Sequence, residues 1–230
     1  MLDLVNSVTP RRGFLGRVAA ATAALGLGGS LPVRLAAAPV AGSAGSAGAA
    51  GAAADPKLEA WFQRIKGTHR LVFDAPAANE GFPAVWPRIY LNTMEATYPR
   101  TQGTAVLILR HHALPLAMQD ELWAKYHLGE MFEIKEGETP ATRNIYANIT
   151  TLPLPGVGVA ELVKSGVLVG ACQMAIAVYS AAAAKKMNLD PETVKQEWTA
   201  GLLPGVQPVP SGVMAIGRAQ ELGCQYCFAG

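Results

Sequence analysis

The sequence is poor in the residues and motifs on which most enzyme chemistry depends. Its 230 residues include three cysteines and four histidines, and charged side chains make up 16% of it. Gly156 and Gly158 are not followed by the continuation that a dinucleotide-binding loop needs, and no serine, histidine and aspartate stand in the order of a known hydrolase triad. These absences argue against nucleotide-dependent and serine-hydrolase chemistry and leave the cysteines and histidines as candidates.

The chain also lacks a basic surplus in its main part. Residues 1–54 hold four of the 19 basic and one of the 17 acidic side chains, so residues 55–230 hold 15 and 16 and carry a net charge of −1. Such a balance supports neither nucleic-acid binding nor a basic membrane-binding face. We expect small-molecule or protein partners.

The first 54 residues are predicted to be a removable twin-arginine leader and an Ala/Gly-rich linker. Arg11 and Arg12 stand in the run TPRRGFL, and the apolar stretch 18–29 after it is too short and too rich in Ala and Gly for a convincing membrane span. The alternative is an arginine pair before an amphipathic helix, but the tract 41–54 has no helical periodicity. The leader predicts a periplasmic or secreted protein with no stable membrane span after its removal.

Residues 55–230 are long enough for one α/β domain with a real core. Apolar runs alternate with helical patterns, and runs that are apolar on both faces are typical of parallel strands covered by helices. The pattern therefore predicts a single doubly wound, mostly parallel sheet of about five strands with helices on both faces. The predicted strands are 69–73, 104–109, 167–171, 206–209 and 224–228, and the predicted helices include 159–164, 173–186, one starting at Asp190 and Pro191, and 213–222 after a Ser211 cap.

Cys172 follows the third predicted strand and precedes a strong helical pattern. A cysteine at the carboxyl edge of a parallel strand lies in the crevice of such a sheet, where the N–H groups of the following helix favour the thiolate, which is the nucleophile. The alternative is a core cysteine, because cysteine is among the most buried residue types.

Cys224 and Cys227 form a C-x-x-C pair close to the last residue. In an extended segment their Cα atoms would be about 10 Å apart, beyond the ~7 Å limit for a disulfide. The helix-ending Gly223 disfavours a thioredoxin-type pair, and Phe228 stands where a c-type haem needs histidine. A structural zinc site is disfavoured too, since there is one close pair where two are usual. A structural disulfide, within the pair or from Cys172 to one member, stays open.

His111 and His112 follow the second predicted strand, near the same sheet edge. Adjacent side chains on an extended segment point in opposite directions, so we expect at most one of the two in a site. A histidine close to Cys172 would accept its proton or bind a metal, whereas the alternative for each is an ordinary hydrogen-bonded histidine.

The run Gly166-Val167-Leu168-Val169-Gly170-Ala171-Cys172-Gln173-Met174-Ala175, together with the order of elements around it and the ending Pro210-Ser211-Gly212-Val213, resembles the DsrE/DsrF-like family of small α/β sulfur-relay proteins. The likeness covers most of residues 67–230. It implies that Cys172 accepts a persulfide sulfur and passes it to a partner protein, within a homo- or hetero-oligomer and without a metal or a nucleotide. We expect a homo-oligomer without a cofactor, whose sulfur donor or acceptor is a protein or a small thiol. The C-x-x-C pair lies outside that pattern.

Two functional hypotheses follow. The first is an exported sulfur-handling or thiol-redox protein with Cys172 as nucleophile, Cys224 and Cys227 as resolving or sulfur-passing thiols, and His112 or His111 as helper. The second is a non-catalytic α/β module that binds a small ligand or a metal and whose cysteines are structural.

Overall fold

The computed structural model describes residues 55–154 and 156–230, and its centre is a five-stranded sheet. The strands are β1 (His69–Ala75), β2 (Gly103–Leu109), β5 (Leu168–Cys172), β6 (Gln207–Val209) and β7 (Gln225–Phe228). All neighbouring strands are parallel, in the order β6-β5-β2-β1-β7. The predicted α/β fold, with a parallel sheet of about five strands, is confirmed.

Strand β2 shows why the sheet is buried on both faces. Ala105, Leu107 and Leu109 belong to one hydrophobic cluster, while Val106 and Ile108 belong to the cluster on the other face. All five are at most 1% exposed. Since successive strand residues point to opposite faces, a continuous apolar run needs a cover on both sides, and helices supply it.

Helices divide between the two faces. The helices are α1 (Pro56–Phe62), α2 (Trp86–Thr97), α3 (Asp120–Tyr126), α4 (Leu128–Met131), α5 (Val159–Lys164), α6 (Gln173–Met187), α7 (Pro191–Ala200) and α8 (Gly212–Glu221). Trp61 of α1 and Ile216 of α8 pack in the smaller cluster, whereas Leu162, Ile176 and Trp198 place α5, α6 and α7 on the opposite face. None of the helices among residues 55–154 and 156–230 is both long and apolar enough to cross a membrane.

The helix ends follow the signals in the sequence, with one omission. The Asp190 side chain accepts the N–H of Thr193 at 2.7 Å, with Pro191 in the first turn, as predicted for α7. Helix α1 is not among the predicted elements, although Asp55 caps it in the same way by accepting the N–H of Lys57 at 2.9 Å. The predicted leader and linker, residues 1–54, lie outside the described residues and stay a prediction.

The connections create a crevice between β5 and β6. Helix α6 leaves β5 toward one face of the sheet, and α8 leaves the neighbouring β6 toward the other. In open parallel sheets such a reversal separates the two connections at the carboxyl ends of the strands, and ligands bind there. Strand β6 is an edge strand of three residues with Pro208 in its middle.

A 3₁₀ segment, His111–Ala117, follows β2 and turns the chain away from the sheet edge. The buried side chain of Asn144, which is distant in sequence, stabilises this turn by hydrogen bonds. Its Nδ2 donates to the carbonyls of Leu116 at 3.0 Å and Met118 at 2.7 Å, and its Oδ1 accepts the N–H of Tyr146 at 3.0 Å. A small antiparallel ribbon, β3 (Lys135–Glu136) with β4 (Thr139–Pro140), lies between these segments in sequence.

Replacing Asn144 should therefore destabilise the whole fold. Asn144→Ala leaves the carbonyls of Leu116 and Met118 buried without their donor, and we expect the free energy of unfolding to fall by about 2–4 kcal/mol. Urea denaturation measures the loss. The control is Asn92→Ala on the exposed face of α2, which should change stability by less than about 0.5 kcal/mol. Equal effects of the two substitutions would contradict this role of Asn144.

Candidate functional site

A pocket of about 300 Å³ lies at the carboxyl edge of the sheet, beside the ends of β2, β5 and β6. Its lining combines one thiol, one guanidinium, one imidazole and two hydroxyls with apolar walls. The lining residues are Arg110, His111, Cys172, Met174, Ala175, Val178, Tyr179, Ser211, Gly212 and Val213. The apolar side chains Met174, Val178 and Val213 are 59–70% exposed, so they surround an open mouth.

Cys172 is the last residue of β5 and the N-cap of α6. Its Sγ accepts the N–H of Ala175, in the first turn of α6, at 3.4 Å, and the N–H of Gly212, at the start of α8, at 3.2 Å. Two helix N-termini therefore direct N–H groups and the positive ends of their dipoles at one sulfur atom. The residue is 6% exposed and belongs to the larger core cluster, and the pocket is the open space that it lines.

Gly212 makes the second contact possible. A Cβ at this position would stand 2.9 Å from Cβ and 3.0 Å from Cδ of Arg110. Because those distances are too short, any side chain would push the start of α8 away from the sheet. Ser211 occupies the predicted N-cap position of α8, but its side chain accepts no N–H of the helix. The sulfur of Cys172 accepts an N–H of α8 in its place.

A partly buried ion pair lies at the pocket. Arg110, directly after β2, donates from Nε to Oδ1 of Asp74 at 2.7 Å and from Nη2 to Oδ2 at 3.0 Å. Tyr226 of β7 donates its hydroxyl to the same Oδ2 at 2.9 Å. Asp74 is 4% exposed, and its carboxylate raises the pKa of Arg110 above the ordinary value, so the guanidinium stays charged.

Of the two predicted histidines, the structure places His111 in the pocket lining. Its Nδ1 is hydrogen-bonded to the hydroxyl of Tyr179. His112 instead has its ring edge-on to Phe132 and Tyr179 and is not part of the lining. The expectation of at most one histidine in a site rested on an extended segment, whereas both residues lie in the 3₁₀ segment. Partial burial of the His111 ring, and then the charges of His112 and Arg110, lower its pKa below the ordinary value.

The structure does not bring the C-terminal cysteines to Cys172. The strand register sets Cys227 level with Val169, and β7 and β5 are separated by two strands. Strand spacing then puts Cys227 about 17 Å from Cys172, well beyond the ~7 Å reach of a disulfide. Cys224 lies still farther down the sheet, before the start of β7.

Cys224 and Cys227 are also separated from each other by the sheet. Cys224 is buried in the smaller core cluster, while Cys227 packs against the larger one on the opposite face. Burial raises the pKa of Cys224 to about 11, although the charge of Arg70 opposes the shift. All three cysteines are free thiols, so none of the disulfides left open by the sequence is formed.

Sequence reasoning missed the charged half of the site. Arg110 directly follows a strand, and Asp74 is the penultimate residue of another, so both stand where parallel strands end at the same sheet edge. That placement was the available signal. Tyr179 and Tyr226 come from distant parts of the chain, and no local pattern indicates them. Within the described ranges, no three His, Cys, Asp or Glu side chains form a group that could hold a metal ion.

Comparison with known proteins adds little. No family model and no curated protein matches the sequence. Among solved structures, the chain is similar to MTH1491, a protein of unknown function from Methanobacterium thermoautotrophicum, with 17% sequence identity and a TM-score of 0.39. The match covers 70% of this chain and 99% of that one.

The contact between α8 and Cys172 can be tested by adding one methyl group. In Gly212→Ala the new Cβ collides with Arg110, and we expect a stability loss of about 1–3 kcal/mol together with a several-fold slower alkylation of Cys172. Urea denaturation and timed iodoacetamide labelling measure the two effects.

Gly217→Ala is the matched control, because a Cβ there meets no atom within 4 Å and lies in the same helix. It should stabilise the protein by about 0.5–1 kcal/mol and leave the alkylation rate unchanged. A Gly212→Ala protein that behaves like this control would contradict the contact.

The lowered pKa of His111 predicts a pH dependence that NMR titration can resolve. We expect the ring to titrate below its ordinary value of about 6.5, and His112→Gln to raise its pKa, since one of the opposing charges is removed. Between the folded and unfolded pKa values the unfolded chain binds more protons, so the contribution of His111 to stability falls as the pH is lowered through that interval. A titration at or above the ordinary value would contradict the assignment.

Proposed function

We propose that this protein handles sulfur, with Cys172 as the thiolate that accepts a persulfide sulfur and later passes it on. One observation carries the proposal: the Cys172 sulfur accepts N–H groups from the first turns of two helices, at 3.4 and 3.2 Å, at the edge of an open pocket. The resemblance of the run around Cys172 to DsrE/DsrF-like proteins points to the same role for the same residue.

The loading step needs a donor persulfide. The Cys172 thiolate attacks the outer sulfur of R–S–S–H; the new S–S bond forms as the old one breaks, and the donor leaves as the thiolate R–S⁻ with the bonding electron pair. Cys172 then carries –S–S–H. No external oxidant is required, because the sulfane sulfur arrives already at the oxidation level it keeps.

Unloading is the same exchange with an acceptor thiol. The acceptor must lose its proton before it attacks, and His111 in the pocket lining is the base for this step. Its lowered pKa keeps the imidazole neutral near pH 7 and therefore able to accept that proton. Cys224 and Cys227 have no part in either step within one chain. Two strands lie between Cys227 and Cys172, and Cys224 is also buried on the opposite face of the sheet.

The rim of the pocket supports exchange with a partner. Met174, Val178 and Val213 expose apolar side chains around the mouth, and a donor or acceptor protein would cover them on docking. We place this activity outside the cytoplasm, on the strength of the twin-arginine pattern in residues 1–54, and in a homo-oligomer, as the family resemblance implies.

The competing function is a non-catalytic module that binds a small ligand and whose cysteines are structural. The observation that favours it is the 6% exposure of Cys172 and its contact with the core. In that case the two N–H contacts serve only to fasten α6 and α8 to the sheet.

A sulfur-loading experiment separates the two functions. The reduced protein is incubated with glutathione persulfide, desalted and measured by intact mass and peptide mapping. We expect one added sulfur atom on Cys172 and none in Cys172→Ser, whose hydroxyl still accepts the two N–H groups and keeps the fold. Cys227→Ser is the control, since it removes the more exposed thiol and should load like the wild type.

Sulfur uptake by Cys172→Ser would overturn the proposal. So would a Cys172 that takes up no sulfur and resists iodoacetamide until the protein is denatured, which is the result that the binding module predicts.

A further inference from the structure

We propose that Arg110 makes the pocket selective for anionic sulfur compounds: small thiols or persulfides that carry a carboxylate or another negatively charged group close to the reacting sulfur. The inference rests on the proposed function of Cys172 and adds its substrate class. It comes from the arrangement of charge around the pocket, where a guanidinium and a nucleophilic sulfur line the same space.

Two of the three nitrogens of the Arg110 guanidinium donate hydrogen bonds to Asp74. Nε and Nη2 of Arg110 both donate to Asp74, and Nη1 has no acceptor within the part of the chain that the structure describes. The Arg110 side chain is 27% exposed and lines the pocket, which is where a ligand would meet the unused N–H groups. A guanidinium fixed on one side by a carboxylate and open on the other is pre-organised to bind a second anion.

The walls of the pocket add no negative charge. None of its ten lining residues is an aspartate or a glutamate, and Asp74, which partly offsets Arg110, is not one of them. The N-termini of α6 and α8 add partial positive charge on the side of Cys172. A negative group in the pocket is therefore closer to the positive charges than to the single carboxylate behind Arg110.

Asp74 and Tyr226 are positioning residues in this scheme. Asp74 is 4% exposed and accepts two hydrogen bonds from Arg110. The Tyr226 hydroxyl donates to Oδ2 of Asp74, the same oxygen that accepts from Nη2 of Arg110, and so fixes its position. The three residues belong to three adjacent strands: Arg110 directly follows β2, Asp74 is the penultimate residue of β1, and Tyr226 is the second residue of β7. The register of the sheet therefore sets their geometry.

The pocket volume limits the size of the thiol or persulfide that can bind. About 300 Å³ is at the low end of small-molecule sites, so it admits a compact molecule. A short thiol with one or two carboxylates fits this description, and its charged group would bind Nη1 while its sulfur meets Cys172.

Two alkylating reagents of nearly equal size test the charge preference without any persulfide. Iodoacetate is an anion and iodoacetamide is neutral, and both alkylate thiolates by the same displacement. Peptide mapping of the native protein measures the rate of iodoacetate alkylation divided by that of iodoacetamide alkylation at Cys172. The same ratio at Cys227 in the same molecule is the internal reference. In the wild type the ratio at Cys172 should exceed the ratio at Cys227 by about tenfold at low salt and should shrink as salt is added.

The variants separate charge from folding. Arg110→Gln alone would leave Asp74 buried without its partner, so it is combined with Asp74→Asn, which replaces the ion pair by two neutral amides. The double variant should lose about tenfold in the ratio while iodoacetamide still alkylates Cys172. Arg110→Lys keeps the positive charge but loses the bidentate hydrogen bonds to Asp74, so it should retain part of the preference for iodoacetate. Tyr226→Phe leaves the Arg110–Asp74 pair in place and should also retain part of this preference.

The two proposals fail in different ways. If Cys172 reacts in the native double variant and the ratio equals that of the wild type, Arg110 does not select anions, and the sulfur-handling role of Cys172 stands. A Cys172 that neither reagent reaches in the native wild type would overturn the sulfur-handling role, and the selectivity with it.

Discussion

The site depends on one contact, the approach of the Gly212 N–H to the sulfur of Cys172. Helices α6 and α8 leave neighbouring strands toward opposite faces of the sheet, so their N-termini diverge from a common point. The sulfur at that point accepts an N–H from each. Without it, the start of α8 would lack a side-chain cap, because Ser211 does not supply one. The same atom is thus a structural link between two helices and the nucleophile of the proposed reaction.

This double role accounts for the modest exposure of Cys172. A sulfur that bridges two helix N-termini has to lie where the helices meet the sheet. The helices and the sheet themselves therefore cover part of it. The pocket lies on the remaining side. Cys224 shows the contrasting case, since it is surrounded by apolar residues, its pKa is raised to about 11, and it gains no N–H donor to its sulfur among the described contacts.

Much of the fold is readable from the sequence, because local patterns determine it. The apolar runs of β2 and β5 need helices on both faces, and Asp190 with Pro191 marks the start of α7 within one residue. The candidate site is readable only in part. Cys172 ends β5 and His111 comes two residues after β2, so strand patterns alone place both at the sheet edge. The pairing of Arg110 with Asp74 depends on the strand order, which no local pattern records. The position of Cys227 was out of reach for the same reason, since its distance from Cys172 follows from two intervening strands.

The proline in strand β6 limits how copies of this protein can assemble. Pro208 has no N–H to donate and lies in an edge strand of only three residues. A strand from another molecule cannot form a regular ladder there, so this side of the sheet is protected from edge-to-edge aggregation. Any self-association at this edge must rely on side-chain contacts, and such interfaces form between folded subunits without opening the sheet.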